Sequence, residues 1–177
     1  MMMRTLLIGA AVCLNLLAPC HLHAETAAVP GDHPLAAVML YDQAEQLRKQ
    51  GKLAEAEIGY QRAVAKWEKI FGSSHPSVAA GLSSLADLQQ QQGRLAEAER
   101  LHQRALAIRE EFLGKDHPGT GFSLRSMALL REQQGRLPEA GLFCQRAAAI
   151  FSAQLPKGHP DIQATQEVCA RLKQKQP

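Results

Sequence analysis

Asparagine is absent beyond Asn15, and aromatic residues make up only 5% of the 177-residue chain. So few rings leave no stacking platform for single-stranded nucleic acid. An excess of one charge is missing as well. Twenty Lys and Arg stand against 17 Asp and Glu, interspersed without a basic block, so the clustered basic face of a nucleic-acid binder is not present. The four cysteines form no Cys-x-x-Cys pair, which excludes zinc-ribbon and thioredoxin-type sites. No Gly-rich phosphate loop, Gly-x-Ser-x-Gly or His-Glu-x-x-His occurs, so the common routes to phosphoryl transfer, acyl transfer and metal-assisted hydrolysis lack their residues. These absences point away from nucleic acid, a small-molecule substrate, a cofactor and an enzyme.

Long apolar runs are also lacking. Leu6 to Ala18, interrupted by Asn15, is the longest, and it is shorter than the ~20 residues that cross a bilayer. Following Arg4 and preceding small residues, it reads as a signal peptide over 1–24, cut after Ala24. Residues 25–32, with Pro30 and Gly31, read as a short leader. Two alternatives stand beside this. One is an uncleaved anchor. The other is lipidation at Cys20, because Leu17-Ala18-Pro19-Cys20 resembles the bacterial lipobox, although Pro19 occupies a small residue's place. A membrane enters only through these two. The expectation is a bacterial periplasmic or secreted protein, with a membrane-anchored lipoprotein as the alternative.

What the chain does have is a repeat. His-Pro occurs at His33-Pro34, His75-Pro76, His117-Pro118 and His159-Pro160, each 42 residues after the last, and Gly51, Gly93 and Gly135 keep the same spacing. This divides the chain into repeat 1 (33–74), repeat 2 (75–116), repeat 3 (117–158) and a half repeat (159–177). Repeats 2 and 3 agree at about half their positions, which marks internal duplication. Each full repeat reads as two helices. Proline suits a first helical turn and glycine suits a helix stop. In repeat 2 the first helix is predicted over about Pro76–Gln92, with Val78, Leu82, Leu85, Ala86 and Leu88 at helical spacing. The second starts near Leu95, carries Ala98, Leu101, Ala105, Ile108 and Phe112 on one stripe, and ends at Gly114. Pro138 falls in a first turn and breaks nothing. Small residues recur in register where helices must approach closely: Ala44, Ala86, Ala128 and Ala170; Ala56, Ala98 and Ala140; Ala63, Ala105 and Ala147.

The stretch Gly93-Arg94-Leu95-Ala96-Glu97-Ala98-Glu99, followed by Gln103-Arg104-Ala105-Leu106-Ala107-Ile108-Arg109-Glu110, resembles the tetratricopeptide repeat in its 42-residue, kinesin-light-chain form. The resemblance covers about 33–175. It implies an all-α, right-handed solenoid of helix-turn-helix repeats, three repeats plus a C-terminal capping helix, and a role in binding proteins or peptides. The end columns fit three repeats. Gln43 and Gln46 stand where later repeats have Leu85 with Leu88 and Met127 with Leu130, and Cys169 with Leu172 restores the apolar pattern. Gln166 replaces Leu40, Leu82 and Leu124. Both ends are thus expected to face water, as solenoid caps do.

The four periodic histidines lie too far apart to share an ion, since ligands sit about 2 Å from a metal; a structural role at helix starts is expected. His102, without a periodic counterpart, reads as a packed histidine at the core edge. Cys144 and Cys169 fall on adjacent helices, and either a disulfide tying the capping helix to repeat 3 or two buried free thiols fits the sequence.

The resemblance also implies a concave groove lined by first helices. Its columns hold Val38, Tyr41, Glu45, Arg48 and Lys49; then Ala80, Ser83, Asp87, Gln90 and Gln91; then Phe122, Arg125, Leu129, Glu132 and Gln133; and Glu167 with Arg171 in the cap. The partner-binding residues expected are Tyr41, Arg48, Ser83, Asp87, Phe122, Arg125, Leu129 and Arg171, with Tyr41, Phe122, Arg125 and Leu129 as anchors because aromatics and arginine dominate interface energy. Relatives that clamp a peptide backbone use paired asparagines, where this chain has Tyr41-Asp42, Ser83-Ser84 and Arg125-Ser126. That clamp is therefore not expected. The function expected is an exported scaffold, an adaptor or assembly factor; the alternatives are a self-associating structural module and a lipid-anchored assembly factor.

Overall fold

A computed structural model describes residues 33–175; the expected signal peptide over 1–24, Cys20 and the leader over 25–32 lie outside the described residues. Among those described, the chain forms seven α-helices and no strand: α1 Pro34–Lys49, α2 Leu53–Phe71, α3 Pro76–Gln91, α4 Leu95–Phe112, α5 Pro118–Gln133, α6 Leu137–Gln154 and α7 Pro160–Lys175. The helices pair as α1–α2, α3–α4 and α5–α6, and each second helix packs on the first helix of the next unit, ending with α7 on α6. This is the all-α stack expected from the repeat.

The recurring spacing has a local cause in each case. At every His-Pro the histidine is the N-cap. Nδ1 of His33, His75, His117 and His159 accepts the backbone N–H two residues on, at 3.1, 3.1, 3.0 and 3.2 Å. One donor that the helix start would otherwise leave unpaired is thereby satisfied, and the proline that follows has no N–H to satisfy. At the other end of α3, Gly93 has φ +78°. Its N–H donates to the Gln90 carbonyl, and the Arg94 N–H reaches back to Gln89. This pair of bonds closes the helix and needs a left-handed residue. Gly51 and Gly135 repeat it.

Packing follows the columns. The alanines at 44, 56, 63, 86, 98, 105, 128, 140 and 147 are all fully buried. A Cβ on Gly59 would come within 2.8 Å of the Ala44 Cβ, a measure of how closely α1 and α2 approach. Leu85, Leu88, Met127, Leu130 and Leu172 are buried between units, whereas Gln43, Gln46 and Gln166 are exposed. Ala170 is exposed too, because among the described residues no helix packs on that side of α7.

One expectation fails. Phe112, placed on the buried stripe of α4, is 59% exposed. It is the last residue of α4, beyond the reach of the hairpin's first helix, and its ring meets the edge of His75, which is itself stacked on Phe71. The cysteine alternative resolves in favour of the bridge: Cys144 and Cys169 are joined, with Cα atoms 5.6 Å apart, so α7 is covalently tied to α6.

Polar ties also repeat between units. Glu57 holds Arg94 at 2.7 Å, and one unit later Glu99 accepts from Arg131 at 2.7 Å and Gln134 at 2.8 Å. Glu68 with Arg104 and Glu110 with Arg146 form a second series along the second helices.

Candidate functional site

First helices contact each other directly, α3 with α5 and α5 with α7. The first helices therefore share one side of the stack. Residues of the columns expected to form a groove come together there: Tyr41 reaches Ser84 and Arg171 reaches Glu132.

Much of this surface is already committed to the chain itself. Tyr41 is half-buried. Its ring lies 5.6 Å from both Tyr60 and Trp67, and its hydroxyl is 2.8 Å from Ser84 Oγ. Arg48 pairs with Glu45 at 2.9 Å, and the Tyr60 hydroxyl donates to the same carboxylate at 2.5 Å. Arg125 donates to Asp161 at 2.8 Å and lies 5.2 and 5.6 Å from the centres of the Phe122 and Phe151 rings. Arg171 pairs with Glu132 at 2.7 Å, and Lys175 shares that carboxylate at 2.8 Å. Arg48, Arg125 and Arg171 are thus internal ties, and a partner would have to displace those bonds to use them. Phe122 and Val38 remain open, at 38% and 40% exposure. Leu129 is half-buried.

Repeat 2 differs. Two second-helix residues meet the first-helix columns there: Arg109, half-buried, was not expected to, while His102 is packed as expected. In the column that holds Trp67 in repeat 1 and Phe151 in repeat 3, repeat 2 has Arg109. Its Nη1 donates to Ser83 Oγ at 2.9 Å and to Ser123 Oγ. Seven residues earlier, His102 fills the column of Tyr60 and Cys144. His102 is 1% exposed, and neither ring nitrogen has a hydrogen-bond partner. Its Nε2 lies 3.4 Å from Asp87 Oδ1. Ser83 and Asp87, both predicted, therefore meet Arg109 and His102, which were not predicted as groove residues. The sequence signal was a polar break in two otherwise aromatic or apolar columns.

The electrostatics follow from this crowding. Burial among the groove walls pushes the Asp87 carboxyl up, to about 6. Arg48 draws it back down, Glu45 adds to the rise, and Arg109 opposes it. Water moderates the push, since 57% of the side chain stays exposed. Burial, helped by the Arg109 charge, pushes His102 down to about 4, so the ring is neutral near pH 7. Burial likewise raises the Tyr41 hydroxyl and lowers Arg109. Among the described residues no group of three or more His, Cys, Asp or Glu side chains could hold a metal ion. The arrangement offers hydrogen-bonding and charged groups suited to recognition.

Comparison with known proteins fits this geometry. A family model described as tetratricopeptide repeat matches residues 35–111 and 78–153. No functionally curated protein matches. Among solved structures, BtubC (BKLC) from P. vanneervenii superposes with a TM-score of 0.74 at 18% identity, over 80% of this chain and 57% of that one. A putative kinesin light chain with nearly identical TPR-like repeats from Podosopora anserina gives 0.68 at 27% identity, over 85% of this chain and 71% of that one. A substituted form of the same Podosopora anserina protein gives 0.69 at the same identity and coverage. This chain thus spans little more than half the length of BtubC.

Proposed function

The chain belongs to the tetratricopeptide repeat family, whose members generally bind other proteins as non-catalytic scaffolds, and from that premise we propose that it is an exported adaptor or assembly factor that docks a protein or peptide on its concave face. One observation carries the reading. Arg109 and His102, which contact Ser83 and Asp87 of repeat 2, break the repeat pattern, although the same columns build the core in repeats 1 and 3. Architecture explains residues that recur, and recognition explains residues placed once. Export is supported by the apolar run after Arg4 and by the Cys144–Cys169 bridge, since such bridges persist in oxidising compartments.

A photo-crosslinking residue at position 122, in the groove, should capture a protein from a periplasmic extract. The same residue at position 142, exposed on α6 at 65%, should not. Equal capture from both positions would remove the groove assignment. A second reading, association with another copy, is favoured by Leu35 and Met39, 49% and 53% exposed on α1. It predicts crosslinks between copies and a mass that rises with concentration.

A further inference from the structure

Asp87 is a carboxylate without a cationic partner in a place built for one. Glu45, Glu132 and Asp161 on neighbouring first helices each meet a cation of the chain, at 2.9, 2.7 and 2.8 Å. Among the described residues, no Lys or Arg lies within ion-pair distance of Asp87; its close polar contact is His102 Nε2 at 3.4 Å. His102 is buried to 1% exposure and orphaned at both nitrogens. Leaving a buried polar group unpaired is costly, and Asp87, with 57% of its side chain exposed above the sealed His102, is the member of the pair that a partner can reach. Arg109 does not complete it, because its Nη1 is held by the hydroxyls of Ser83 and Ser123. Its charge, felt at longer range, favours the ionised carboxylate and leaves the contact position open.

We propose that Asp87 docks a positively charged side chain, lysine or arginine, carried by a partner segment lying along the first-helix face. The missing component is a hydrogen-bond donor, and a cation gives a half-desolvated carboxylate more than a neutral amide can. Ser84 and Asp87 lie one turn apart on α3, so the Tyr41 hydroxyl, bonded to Ser84, is near the same turn. The proposal rests on the concave face being the working surface, and it adds the chemistry that face selects.

The test is calorimetric titration of the intact chain with tetralysine amide and with tetraglutamate. Emission from Trp67, the chain's single tryptophan, 5.6 Å from the Tyr41 ring, reports locally. Saturable binding of tetralysine is expected, and Asp87→Asn should weaken it about tenfold or more. Glu111→Gln, which changes net charge equally at an exposed site on α4, should leave it unaltered. Three results overturn the proposal: no saturable binding, equal binding by Asp87→Asn, or preference for tetraglutamate, which would make Arg109 the anchor. Capture at position 122 that survives such a failure would keep the groove and discard only its chemistry.

Discussion

Repeats 1 and 3 bring aromatic residues, Trp67 and Phe151, to the junction with the next first helix, whereas repeat 2 brings Arg109 there. The facing residue changes in step. A Cβ on Gly81 would come within 3.0 Å of the Trp67 ring and 2.6 Å of Val64, so only glycine fits there. One unit later that column holds Ser123, which bonds Arg109. Within repeat 3, Gly121 makes room for Phe151 in the same way; a Cβ would come within 2.8 Å of the ring. Trp67 and Phe151 are seated by shape, whereas Arg109 is held by hydrogen bonds beside the apolar cluster of Ala98, Met127 and Leu130. The polar junction exposes charge to the groove, as expected if it was kept for binding at some expense of stability.

Substitutions that exchange these characters test the contrast. The largest effect is expected for Phe151→Arg. It copies repeat 2 into a site with no hydroxyl pair to receive it and with the Arg125 guanidinium 5.6 Å from the ring. An uncompensated buried charge costs about 3–5 kcal/mol, read as a lowered denaturant midpoint. Next is the bridge of repeat 3, which repeats 1 and 2 lack. Replacing Cys144 and Cys169 by alanine opens a loop of sequence separation 25 and should remove about 3 kcal/mol; reducing agent should lower the wild-type melting temperature and leave the variant's unchanged.

Glu99, at the junction of repeats 2 and 3, is smaller. Hydrogen bonds from Arg131 and Gln134 hold its carboxyl down, to about 2. The folded-state value lies below the unfolded one, so its contribution is present above about pH 4.5 and is lost as pH falls through about 2. Glu99→Gln should cost on the order of 2 kcal/mol at pH 7 and flatten the acid limb of a stability profile. The smallest effect belongs to a feature every repeat shares. His117→Ala removes an N-cap worth about 1 kcal/mol, and His117→Asn should restore most of it; melting temperatures of the two variants decide.

The repeated part of the molecule was legible in the sequence. His-Pro and glycine at fixed spacing mark where helices begin and stop because each does one local job, and the helix bounds agree closely with those expected. Whatever depends on geometry between helices was not legible. The pairing of Cys144 with Cys169 turns on a Cα separation that spacing does not reveal. Phe112 was misplaced because a column gives the direction of a side chain but not the end of its neighbour. Arg125, expected as an anchor, and Arg171, expected to bind a partner, are internal ties because Asp161 and Glu132 lie 36 and 39 residues away in sequence. Arg109 was hidden by belonging to the second helix, though its departure from Trp67 and Phe151 was visible in the columns.

The central claim is that the polar columns of repeat 2 serve recognition and are not needed by the fold. Unfolding free energy of the double variant His102→Tyr, Arg109→Met tests it most directly, because tyrosine is the repeat 1 residue and methionine keeps the length of arginine without its charge. Buried polar groups replaced by apolar ones of similar volume often leave stability unchanged or raised, and the account predicts a value equal to or above wild type. A loss of about 2 kcal/mol or more, the range of a broken buried network, would show that these residues hold the array together and would contradict the claim.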